Sequence, residues 1–385
     1  MNKIIKSMLM MVVGLGLFTA CSDDTDSNPT LVAPTKFVLN TPAAANLPID
    51  LTSSTTVNLT CSQPDYGFPA STGYRVQVSL NQDMSDSIEM SQNFTTVNIN
   101  LDAYTLASTL TELELSQGKV EGDFPLESKI YMRLKAQMLT STGNPVPGTE
   151  ILSNVISFDR VMFDFSLPPV TVPEKLYVMG NFTGGNWDKA IEMVPVYGAS
   201  NVFWSMVYID ADGILFNSAM AFDGNEVGYT GLNTVSGDLA GQVKDNGGRI
   251  ASDTPQWCLM VVSTSVSGRT ILYDVQFLKP EVWLMGPCIG DNDWSELNPA
   301  GLFTVPADAN GLFESPAFTG AVPGGDGDGV RAYVKVPGYD WWKSEFIVLS
   351  GKIVYRGTGD DQQRIPGSVG QKMYLDFSAG TGEIK

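Results

Sequence analysis

Leu176-Tyr177-Val178-Met179-Gly180, followed by Trp187, recurs as Val282-Trp283-Leu284-Met285-Gly286, followed by Trp294. In each copy a short apolar run stops at a glycine, which reads as a strand entering a turn. The far ends match too: Gly268-Arg269-Thr270-Ile271-Leu272-Tyr273-Asp274-Val275 parallels Gly370-Gln371-Lys372-Met373-Tyr374-Leu375-Asp376-Phe377. The repeating unit is roughly 105 residues, long enough for a small β-sandwich of its own. Two copies are too few for a solenoid, so beads on a string is the expected arrangement. The first bead covers residues 174–279 and the second residues 280–385.

Upstream, Leu167-Pro168-Pro169-Val170-Thr171-Val172-Pro173 is a stiff proline-rich linker. Before it, residues 35–165 alternate apolar and polar. Tyr74, Val76, Val78 and Leu80 share one face of a run, Ile130 to Ala136 alternates likewise, and Val155-Ile156-Ser157-Phe158 closes the segment. Turn signals such as Ser141-Thr142-Gly143-Asn144-Pro145 separate short strands, the pattern of a sandwich similar to immunoglobulin or fibronectin-type domains. Leu101 to Leu115, rich in Thr, predicts one or two helical turns. Nothing in this segment clusters into a site, so it reads as a spacer. The whole chain is predicted to be all-β.

The first 20 residues read as a secretory signal. Lys3 and Lys6 precede an apolar run from Met8 to Phe18, and small residues Thr19-Ala20 precede Cys21. A run of about eleven apolar residues is too short for a retained spanning helix, which needs roughly 20. Cys21 after Thr19-Ala20 resembles a bacterial lipobox, with Phe18 where Leu or Val is commoner. Cys21 would then be lipidated, and Ser22-Asp23-Asp24 resembles the acidic tag that sends lipoproteins to the outer face of the outer membrane. Residues 21–34, polar with Pro29 and Pro34, read as a flexible tether.

Composition narrows the chemistry. Across 385 residues there is no histidine. That removes Ser-His-Asp and Cys-His catalysis, His-ligated zinc and imidazole acid–base work. The net charge of −19 argues against nucleic acid and against docking by a basic patch. Cys61, Cys258 and Cys288 match no metal spacing and read as small buried hydrophobes. Gly324-Gly325-Asp326-Gly327-Asp328-Gly329 and Asp308-Ala309-Asn310-Gly311 are fragments of calcium-loop pattern without a full ligand set, so solvated turns are expected. No metal and no cofactor is implied.

What remains is aromatic. Trp294 follows Asp291-Asn292-Asp293 in a loop and is costly to expose unless something stacks on it. Downstream come Arg331, then Trp341-Trp342-Lys343, then Arg356. If these segments are neighbours, indole faces and guanidinium groups converge. An indole covers the CH-rich face of a sugar ring, and Arg or Lys donates to vicinal hydroxyls. Trp341 and Trp342, taken as strand residues, would point to opposite faces. The first copy offers Trp187, with Phe222 and Tyr229 in place of Trp341, and Asn217 near the position of Arg331. Between Lys189 and Lys244 it has no Lys or Arg. Two rival readings stand beside this. One is a structural or adhesive surface protein. The other is a glycoside hydrolase using Asp293 with Glu296 or Asp326 with Asp328, which needs two acids about 5–10 Å apart.

Signal, acidic tag, spacer and paired repeats opening LYVMG resemble the SusE/SusF-type outer-membrane starch-binding lipoproteins along essentially the whole chain. The resemblance implies two tandem β-sandwich carbohydrate-binding modules behind an immunoglobulin-like spacer, without catalysis. It implies starch or a related α-glucan as ligand, a lipid anchor in the outer membrane, and SusC/SusD-type importer components as partners. Related systems use the scaffold for other polysaccharides. Sites of this family pair two aromatics with Arg or Lys. Carried over, that gives Trp294, Arg331, Trp341 and Arg356, with Trp342 and Lys343 adjacent, and in the first copy Trp187 and Tyr229.

Overall fold

The structure, a computed structural model, describes residues 30–290, 294–325 and 327–385. Cys21, Ser22, Asp23, Asp24, Asp293 and Asp326 lie outside the described residues. The chain divides into two compact units, one ending at Pro168 and one beginning at Pro169. Strands dominate both, with one α-helix among the described residues, so the chain is all-β.

In the first unit, a sheet ordered Pro48–Asp50, Ile156–Phe163, Leu126–Met138, Thr72–Ser79 and Ile88–Phe94 accompanies a sheet ordered Leu39–Asn40, Thr56–Cys61 and Asn98–Asp102. Their alternating residues, among them Tyr74, Val76, Val78, Ile130, Met132 and Leu134, fill one core. The Thr-rich stretch is more helical than expected: Ala103–Ser116 forms 14 residues of α-helix. Asp102 caps it, accepting the Thr105 N–H at 2.7 Å. The threonines are tolerated because the Thr109 and Thr111 hydroxyls donate back to the Thr105 and Ala107 carbonyls. Ala103, Leu106, Leu110 and Leu113 supply the buried stripe.

In the second unit, the middle module pairs a large sheet with a small one. The large sheet runs Val194–Val196, Ala199–Ile209, Gln256–Ser267, Thr270–Leu278 and Thr234–Ser236; the small one runs Ile191–Glu192, Tyr177–Met179 and Leu215–Asn217. Phe203, Val207, Cys258, Met260 and Val262 on one face of the large sheet pack on Leu176, Val178 and Phe216. The opposite face is also apolar: Val202, Trp204, Met206, Trp257, Leu259 and Val261.

The C-terminal module is a seven-stranded sheet ordered Val282–Met285, Arg331–Val334, Glu345–Leu349, Lys352–Tyr355, Thr381–Ile384, Met373–Asp376 and Phe313–Glu314. Its inward residues join that second apolar face in one continuous core. Trp204 meets Tyr355 edge-on at 5.3 Å between ring centroids, and Trp257 meets Phe313 at 5.2 Å. Trp257 Nε1 donates to the Asp308 carbonyl at 3.0 Å. The two repeats are therefore one body, and beads on a string is corrected. A fully buried indole removes roughly 200 Å² from water, which at about 25 cal/mol per Å² contributes about 5 kcal/mol. Leaving the Trp204 face wet would be a large cost.

The thiols of Cys61, Cys258 and Cys288 are free and buried. Asp308-Ala309-Asn310-Gly311 is a turn in which the Asp308 carboxylate accepts the Asn310 N–H. Among the described residues no group of three or more His, Cys, Asp or Glu is placed to hold a metal.

Candidate functional site

The strands Val282–Met285 and Arg331–Val334 pair antiparallel, with Met285 opposite Arg331 and Trp283 opposite Tyr333. Alternation sends Leu284, Ala332 and Val334 into the core. Trp283, Met285, Arg331 and Tyr333 are left on the outer face, where Trp283 and Tyr333 stack at 5.6 Å. At the strand end Gly286 takes φ +85°, and a Cβ there would lie 2.8 Å from the Trp294 indole. Glycine is needed twice over: for the backbone turn and for the indole lying against it.

Trp294 is 39% exposed. Its ring is near-parallel to that of Trp341, with centroids 5.8 Å apart and planes inclined by 26°. Trp341 in turn meets Tyr333 at 6.0 Å. Glu296 fixes this pair, since its carboxylate accepts the Trp341 backbone N–H at 2.7 Å and pairs with Lys335. Burial pushes the Tyr333 phenol up to about 12, so its oxygen stays protonated and accepts the Leu297 N–H at 2.6 Å. Glu296, a candidate catalytic acid from sequence, is thus occupied as a brace for the aromatic pair.

Beside the indoles lies a buried charge network. Glu345, opposite Tyr333 on the next strand, has a side chain with no exposure. It accepts Arg331 at 2.5 Å and Arg356 at 2.7 Å. Asp361 reaches both guanidinium groups at 3.5 and 3.4 Å and holds Arg364 at 2.7 Å. A lone buried carboxylate would be strongly unfavourable, and two guanidinium groups offset that. Burial works against the charge on Arg356, but the ion pair with Glu345 outweighs it and raises the pKa. Both arginines are more enclosed than expected for free donors, their side chains being 7% and 12% exposed. Guanidinium groups carry five N–H donors each, so the ion pairs leave some unspent.

Trp341-Trp342-Lys343 forms a single 3₁₀ turn, not a strand. The side chains still diverge. Trp341 joins Trp294, whereas Trp342 packs on Tyr197 of the middle module at 5.6 Å and Lys343 lies over Trp342.

The middle module lacks an equivalent surface. Trp187 is 8% exposed, packed with Met179, Ala190 and Leu215. Tyr229 packs against the inner core, on the other face of the small sheet. Asn217 is buried and spends its side chain on Ala221, Asp223 and Ser218. Register corrects its expected place: Leu215 lies opposite Met179 as Arg331 lies opposite Met285, while Asn217 corresponds to Tyr333. The missing cation is thus an aliphatic side chain, and Trp187 lies down on it. Phe222 remains exposed on the loop beyond.

Sequence reading misses Tyr333, Glu345 and Asp361, and gives Glu296 the role of an acid where the structure makes it a brace. Glu345 carried a signal: an acid opening the apolar strand Glu345-Phe346-Ile347-Val348-Leu349 must find a partner.

An all-β scaffold with an indole pair open at Trp294 and a fixed array of guanidinium donors beside it has the build of a carbohydrate-binding module. Comparison with known proteins agrees. The model for SusF/SusE starch-specific carbohydrate-binding modules matches residues 175–273 and again 281–383, and that for the SusE outer membrane protein matches 23–135. The chain belongs to this SusF/SusE family of the outer membrane, a family of binding proteins and not enzymes. Outer membrane protein SusF of Bacteroides thetaiotaomicron is 37% identical over 242 residues, covering 60% of this chain and 47% of that protein. The chain thus spans about half that relative's length. The crystal structure of SusF from the same organism matches with a TM-score of 0.43 at 22% identity, covering 91% of this chain and 100% of that one.

Proposed function

We propose that this protein captures starch or maltooligosaccharides at the cell surface for a polysaccharide-uptake system, through the outer face of its C-terminal module. The observation that carries the reading is the near-parallel pair Trp294 and Trp341 at 5.8 Å, with Trp294 open to solvent. Two indoles inclined by 26° offer successive faces to adjacent sugar rings of a curved chain. Arg331 and Arg356, held by Glu345, present remaining N–H groups to hydroxyls at the platform edge. Binding of this kind moves no proton, which suits a chain without histidine.

In this reading Cys21 carries the lipid anchor, Ser22-Asp23-Asp24 directs the protein outward, and SusC/SusD-type importer components receive the glycan. Affinity electrophoresis of the full chain against amylopectin, dextran, levan and xylan tests it. Retardation by amylopectin, lost in Trp294→Ala, is expected. Retardation by levan or xylan instead would assign a different polysaccharide, and retardation by none would favour a structural role.

A further inference from the structure

The hairpin turn of the middle module reaches the charge network of the C-terminal one. We infer that the middle module completes the glycan site, with Tyr197 as positioning residue for Arg356 and for the turn that carries Trp341; this rests on the reading above. Tyr197 lies between the strands Val194–Val196 and Ala199–Ile209. Its ring centroid is 4.4 Å from the Arg356 Cζ, and the Trp342 centroid is 5.1 Å from the same atom. The guanidinium thus has an aromatic neighbour from each module while Glu345 holds its Nη1. Pro195 lies against Gly357, next in chain to that arginine.

The second tie is through the backbone. The Tyr197 N–H donates to the Lys343 carbonyl at 2.9 Å. Lys343 closes the same 3₁₀ turn that begins with Trp341. One middle-module residue therefore fixes both a donor and the turn beneath an indole. A cation over an aromatic face gains most where water is excluded, and Arg356 is largely enclosed. Without the ring, Arg356 is free to leave Glu345, and the buried carboxylate then draws more strongly on Arg331. The copy whose own surface is filled by Trp187 and Leu215 acts instead as a buttress.

The test is calorimetric titration of the full chain with a maltooligosaccharide. Tyr197→Leu keeps apolar volume but removes the ring, and should weaken binding about tenfold. Tyr197→Phe keeps the ring and should stay within about twofold. In an Arg356→Ala background Tyr197→Leu should add little, because the two act through one contact. A Leu variant that binds like the parent, while Trp294→Ala does not bind, overturns the inference and leaves the platform reading standing. A Phe variant as weak as the Leu variant refutes the role of the ring. A parent chain that binds no α-glucan removes both readings together.

Discussion

The two homologous tryptophans should fail in opposite ways. Trp187 is 8% exposed and packs on Met179, Ala190 and Leu215, so Trp187→Ala opens a cavity. Burying a whole indole is typically worth 3–5 kcal/mol; for this small satellite cluster about 3 kcal/mol is expected. In a unit of this size that lowers the melting temperature by about 6–12 °C. Trp294, at 39% exposed, rests on Gly286 and Trp341 and should cost only about 1 kcal/mol when truncated. Its loss removes one of two stacking faces and lets Trp341 relax, so maltooligosaccharide affinity should fall at least about tenfold, or about 1.4 kcal/mol. Thermal melts and titration calorimetry on both variants read the two effects separately. If Trp187→Ala weakens binding as much as Trp294→Ala, the buried copy is a site after all and the assignment is wrong.

Trp204→Ala cuts into the core shared by the repeats and should destabilise the second unit by about 3–5 kcal/mol in denaturant titration; a loss below about 1 kcal/mol would mean independent modules. Burial pushes the Cys61 and Cys288 thiols up to about 11, and Cys258 higher still. The folded chain therefore favours the neutral thiols and should resist iodoacetamide at pH 8, gaining three labels once unfolded, since the thiolate is the nucleophile; prompt labelling of the native protein would contradict the burial. Cys21→Ala should release the protein from membranes. Asp23→Ala with Asp24→Ala should leave it membrane-bound but shielded from protease added to intact cells, and equal protease sensitivity would remove the export-tag argument.

Local pattern made much of the fold legible. Tyr74, Val76 and Val78 alternate and are buried as alternation requires, and the two repeat starts form the corresponding strands Tyr177–Met179 and Val282–Met285. The helix is longer than its Thr content suggests because the hydroxyls of Thr109 and Thr111 bond within it, which propensity alone does not reveal. The union of the repeats leaves a signal in the sequence of the middle module. Val202-Phe203-Trp204-Ser205-Met206-Val207 and Trp257-Cys258-Leu259-Met260-Val261-Val262 are apolar at both parities, and a strand apolar on both faces belongs to a sheet covered on both sides. The site was legible as residue types and not as roles. That Trp294 meets Trp341 depends on a turn forty-odd residues away in sequence, and that Arg331 and Arg356 share Glu345 follows from strand order.

The divergence of the repeats follows from where charge can be afforded. Two guanidinium groups around a carboxylate of zero exposure form a rigid donor array only if water and loose rotamers are kept away. Rigid donors matter for a sugar ligand, because each long side chain ordered on binding costs about 0.5–1.5 kcal/mol of the interaction. The C-terminal copy gains that rigidity from its neighbour: the apolar face around Trp204 covers its core, and Tyr197 packs against Arg356. On the neighbour's own outer face Leu215 replaces the cation and Trp187 closes over it. Val227 continues the ladder beyond Leu215–Asn217 as an isolated bridge to Phe216, and the acid beside it, Glu226, accepts the Asp223 and Gly224 N–H groups where Glu345 accepts two guanidinium groups. Exposure of one platform and burial of the other are therefore two sides of one packing arrangement.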